Sequence, residues 1–101
     1  MKLMTKALAA KLPALYSQEH VEDPLVVLHY FNPSGQGDWY ITEGDPADPD
    51  DFMFFGLCDL GEPELGYVAL SELEGVRCPP FGLGIERDLH WTPKPLSAIR
   101  K

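Results

Sequence analysis

Glu86, Asp88 and His90 are the residues of this chain whose types and spacing most resemble a chemical site. They recur every second residue in Ile85-Glu86-Arg87-Asp88-Leu89-His90-Trp91, so on an extended strand all three share one face. Two carboxylates and an imidazole in a row could hold a divalent metal or work as acid and base. Same-face neighbours on a strand lie roughly 6.6–6.8 Å apart, too far to converge on one ion without a bend. A polar outer face of an edge strand is therefore the favoured reading of this cluster. The opposite parity puts Arg87 on the apolar side with Ile85, Leu89 and Trp91. A guanidinium stays charged at any usable pH and needs acceptors when buried. Glu43 is the expected partner in a structural ion pair, because it shares the parity of Trp39 and Ile41.

A second group is acidic. Asp45, Asp48, Asp50 and Asp51 lie within seven residues, but Pro49 and the absence of a following glycine do not fit a calcium loop. With Glu43 they form a candidate partner-binding acidic face. Charge along the chain is segregated in the same sense. Between Leu12 and Val76 there is no lysine or arginine, and this stretch holds fourteen of the sixteen acids. A field of that sign suits a basic protein surface, including one that otherwise holds nucleic acid. It excludes direct binding of a nucleic-acid backbone, as does the net charge of −8.

No other catalytic pattern is present. Cys58 and Cys78 have no CxxC or paired-histidine spacing and read as reduced, buried thiols. There is no nucleophile elbow, P-loop or dinucleotide fingerprint. His29, on an apolar strand, reads as a satisfied core or sheet-face histidine. Trp39, Tyr40, Tyr67 and Trp91 read as core rather than as an aromatic face for a partner. No catalytic residue, metal or cofactor is expected.

The elements that position these residues follow from pattern and punctuation. At 101 residues and 45% hydrophobic composition the chain fits one globular domain, residues 1–101. No apolar run approaches 18 residues, and no signal-peptide h-region is seen, so a cytoplasmic setting is expected. Thr5 caps a helix over residues 6–12 that Pro13 stops, and Leu15 and Tyr16 are expected to pack down after it. Strands are expected at 25–31, 38–43, 52–58, 64–70 and 85–91, with residues 44–51 as an acidic loop. Ser71-x-x-Glu74 followed by Gly75 confines one turn of helix. With no room for crossover helices, the expected fold is α+β, an N-terminal helix packed on a mainly antiparallel sheet of four to five strands.

Five motifs also resemble a known family. They are T-K-x-L-x-x-K-L-P-x-L-Y from Thr5, W-Y-x-T-E-x-D from Trp39, F-F-G-L from Phe54, E-L-G-Y-V-A-L-S-E-L-E from Glu64 and G-L-G-I-E-R-D-L-H-W-x-P-K-P-L from Gly82. In this order, over nearly the whole chain, they resemble the bacterial domain of unknown function 2958. The resemblance implies a small cytoplasmic protein of plasmids, integrative elements or phages, with no activity or catalytic residue to carry over. The expected function is a non-enzymatic acidic binding protein of a mobile genetic element that docks on a basic protein surface. Its sharper form is an inhibitor of host defence, of anti-restriction or anti-CRISPR type. The alternatives are a small metal-dependent enzyme built on the carboxylate and histidine cluster, or a structural or regulatory subunit.

Overall fold

The computed structural model describes residues 2–47 and 51–100. Thr5 accepts the Leu8 amide at 3.2 Å and caps α1 (Lys6–Lys11), as its sequence directs. Five strands form one antiparallel sheet: β2 (Leu28–Phe31), β3 (Asp38–Ala47), β4 (Asp51–Asp59), β5 (Pro63–Ala69) and β6 (Glu86–Arg87), in the order β5-β4-β3-β2-β6. A second antiparallel pair joins β1 (Leu25–Val26) to β7 (Lys94–Pro95). Two short helices, α2 (Leu70–Gly75) and α3 (Leu96–Ile99), complete an α+β fold.

The sheet is covered on both faces. One face carries the larger core, with Leu28, Tyr30, Trp39, Ile41, Phe52 and Phe54 packed under Leu3, Leu8, Leu12 and Leu73 from the N-terminal segment, α1 and α2. The other carries a smaller core in which Val26, Leu57 and Leu96 meet Tyr40, Trp91 and Ile99. The β1–β7 pair and α3 thus lie as a strap across the middle of this second face.

Four sequence expectations change. Residues 25–31 do not form one strand: the Val27 amide donates to Ile41 O at 2.8 Å, and Leu25 and Val26 leave to pair with Pro95 and Lys94. The strand expected over 85–91 is only two residues long. Asp88 turns the chain, its Oδ1 accepting the His90 amide at 3.0 Å, and Trp91 crosses to the second face, where its Nε1 donates to Val26 O at 2.9 Å. The acidic loop is shorter than expected, because β3 runs on to Ala47. Ser71 does not cap α2. Glu72 instead accepts the Ala69 amide at 3.0 Å, while Ser71 donates its backbone N–H and hydroxyl to Asp51.

Candidate functional site

The geometry begins with a bulge in β3. Ile41 is opposite Gly56 and Glu43 is opposite Phe55, so Thr42 is the extra residue. One inserted residue reverses side-chain parity beyond it. Ile41 faces the larger core, but Glu43 turns to the second face and is buried, 4% exposed. Its carboxylate is held by backbone: Oε1 accepts the Tyr16 amide at 2.9 Å and Oε2 the Gln18 amide at 2.8 Å. Two residues on, Asp45 Oδ2 accepts the Leu15 amide at 2.8 Å, and the Gly44 amide donates to Pro13 O at 2.9 Å. The segment after α1 is thereby fastened along β3, and successive turns carry it to residue 21.

This fastening fixes Tyr16 in an unusual state. Its φ is +69°, the left-handed region that a bulky side chain rarely enters. The side chain does not pack down as expected; it is 59% exposed beside Tyr67, itself 52% exposed, with ring centroids 6.2 Å apart. Tyr67 also packs on Phe55 at 4.9 Å. Between this aromatic pair and the strap lies a groove of about 310 Å³, whose walls include Glu19, Glu22, Glu43, Leu65, Leu96 and Arg100. Partial desolvation by its packing neighbours, the adjoining Tyr16 phenol and the negative charge of Glu43 and Glu19 push the Tyr67 phenol up.

A profile described as "Protein of unknown function (DUF2958)" matches residues 3–100. The chain belongs to the DUF2958 family. No curated protein and no solved structure matches it. Among the described residues of this DUF2958 chain, no helix is long and apolar enough to cross a membrane.

The expected site residues divide as follows. Glu43 and Arg87 are not brought together. Arg87 is opposite Tyr30 in β6 and so keeps its place on the face of the larger core, whereas the bulge sends Glu43 to the other face. Of the expected acidic face, Glu43 is buried and Asp45 holds Leu15, while Asp51 accepts from Phe52 and Ser71. The Ser71 hydroxyl, first, and the two backbone N–H groups hold the Asp51 carboxyl below its ordinary range. Asp48 and Asp50 lie outside the described residues. Glu86, Asp88 and His90 do not form a row, because the strand ends at Arg87. Among the described residues no group of three His, Cys, Asp or Glu is placed to hold a metal ion.

Asp88 has another partner instead. His29 Nδ1 lies 3.0 Å from Asp88 Oδ2, and Nε2 lies 2.8 Å from Asp38 Oδ1. The ring stacks on Tyr40, 4.7 Å away and within 4° of parallel, with Trp91 tilted against it at 5.0 Å. An ionised carboxylate only accepts, so both bonds form together only when both ring nitrogens carry hydrogen. His29 is thus a satisfied sheet-face residue. The hydrogen bond from His29 holds the Asp88 carboxyl below the usual range, against the raising effect of burial. Both cysteines are free; burial and the charge of Glu72 push the Cys58 thiol up, away from the reactive thiolate.

Sequence reasoning missed the groove. Tyr67, expected in the core, is instead half exposed, because no element among the described residues covers β5 at Leu65 and Tyr67. Nothing in the sequence marks Tyr16 as left-handed.

Proposed function

We propose that this DUF2958 protein is a non-enzymatic binding protein that docks through an acidic, aromatic face on a basic surface of another protein. The observation that carries this reading is Tyr16. A bulky residue in the left-handed region costs on the order of 1–3 kcal/mol, and such strain clusters at functional sites. Here a buried carboxylate holds the strained residue so that its ring stands in solvent next to a second exposed tyrosine. Packing gains little from this arrangement; a recognition surface gains two rigid rings of the kind that anchor interfaces. The acids around them set the sign of the partner. A role as an inhibitor of host defence extends the same reading: an acidic face would occupy a protein surface that otherwise holds nucleic acid. The net charge of −8 and the long cation-free stretch support it.

Capture from a host-cell lysate tests the reading. The immobilised protein is expected to retain a basic protein at ~50 mM salt and to lose most of it at ~500 mM, where charge pairs are screened. A Tyr16→Ala, Tyr67→Ala variant is expected to retain far less at low salt. Retention that ignores both salt and the double substitution overturns acidic docking.

A further inference from the structure

The geometry points to the groove beside Tyr16 and Tyr67 as a slot for one arginine side chain of the partner, its guanidinium laid on a tyrosine ring and paired with Glu19 and Glu22. This deepens the docking reading and rests on it. The groove's volume, about 310 Å³, lies at the lower end of the range for small-ligand sites and suits one long side chain. Its floor and walls are apolar and aromatic at Phe55, Leu65 and Tyr67, while three carboxylates against the one guanidinium of Arg100 leave the lining negative. Glu43 contributes to that sign in a particular way. Its charge is satisfied by two N–H groups and is buried, so it is less screened by water than a surface acid. Both rings are more than half exposed, so aromatic surface remains for a cation to contact. The second face of the sheet already uses this contact, with Lys94 Nζ 4.5 Å from the Trp91 ring centroid. Arginine fits better than lysine, because a flat, weakly hydrated guanidinium stacks on aromatic faces and forks between carboxylates. Anions are repelled by the lining.

The test is an NMR titration of the full chain with three probes: tri-arginine, tri-lysine and tri-citrulline peptides, the last a neutral isostere. Tri-arginine is expected to shift the amides of residues 16–22 and 65–67, tri-lysine to do so several-fold more weakly, and tri-citrulline to leave them unmoved. Tyr67→Ala is expected to weaken tri-arginine about five- to tenfold, the scale of one cation–π contact. Glu22→Gln keeps both rings and is expected to weaken it about two- to threefold. Arg100→Gln, which removes the competing cation, is expected to tighten it by a similar factor. No shifts, shifts confined to other acids such as Glu62 and Glu64, or equal binding of tri-citrulline would each overturn the slot. Any of these results with salt-dependent capture of a basic protein leaves acidic docking in place. Arginine-specific shifts in the groove with salt-insensitive capture overturn the docking reading and keep the slot.

Discussion

Asp88 reaches across 59 residues of chain to His29, its Oδ2 lying 3.0 Å from Nδ1, while Asp38 holds the opposite nitrogen at 2.8 Å. This one imidazole joins β2, the start of β3 and the turn that carries Trp91 to the second face. Asp88→Asn removes the charge at one end. It is expected to destabilise the fold by about 1–1.5 kcal/mol, the difference between a hydrogen bond to a charged group and one to a neutral amide, read as a lower urea midpoint. Trp91 emission should shift in the native baseline, since its ring rests on His29.

The same pair predicts an acid limb. The folded Asp88 carboxyl loses its proton more readily than the unfolded one, so its stabilisation is complete above the unfolded value of about 3.9 and is lost as pH falls below it. Asp23 and Asp51, each held low chiefly by a serine hydroxyl, act in the same window and direction. Thermal midpoints measured from pH 5 down to pH 2 should fall in both proteins, less steeply in Asp88→Asn. Equal slopes would mean that His29 does not favour the ionised carboxylate.

Glu43→Gln should be more damaging. Glutamine offers one acceptor oxygen where two backbone N–H groups need one each, and its amide hydrogens would face the second donor. A buried donor left unsatisfied costs about 1–3 kcal/mol. Hydrogen exchange should show lost protection at Tyr16 and Gln18 before any change at Phe54 in the larger core.

Tyr16 gives a prediction of opposite sign. Asparagine enters the left-handed region more easily than tyrosine, so Tyr16→Asn should raise stability by about 0.5–1 kcal/mol, while β-branched Tyr16→Val should lower it by more. Denaturation of the two variants side by side separates backbone strain from loss of the ring, which both share.

Gly56 and Gly66 are cross-strand partners with opposite tolerance. A methyl group on Gly56 would run into the Tyr40 carbonyl and lie 2.9 Å from the Ile41 Cα, beside the bulge, where only backbone could yield. Gly66 has nothing within 4 Å of that position. Gly56→Ala is expected to cost about 3 kcal/mol, and Gly66→Ala to be neutral or stabilising by about 0.5 kcal/mol.

What the sequence made legible ends where a side chain overrides the local pattern. Thr5 and Pro13 bound the first helix because capping and proline act within a turn. Trp39-Tyr40-Ile41 gave the correct faces because alternation holds along an unbroken ladder. At Thr42 the ladder takes one extra residue, and every parity inferred beyond it is reversed, which is why Glu43 was matched to Arg87. Asp88 is a similar case. As a strand residue it belonged in a row with Glu86 and His90, but its carboxylate competes for the His90 amide and ends the strand. Its attraction to His29 spans most of the chain, and no local window contains both. The acidic composition was readable; that Glu43, Asp45 and Asp51 are bound to backbone rather than displayed was not.

The strap on the second face has a consequence for the order of folding. Its fastenings are remote: Trp91 to Val26 spans 65 residues, and Ser97 to Asp23 spans 74. The hairpins of β3, β4 and β5 close far shorter loops, and loop-closure entropy must be met before distant contacts reward it. The meander is therefore expected to form first, and the strap to dock onto it after the rate-limiting barrier. Weakening the strap, as Leu96→Ala would, should then quicken unfolding and leave the folding arm of a chevron almost where it was.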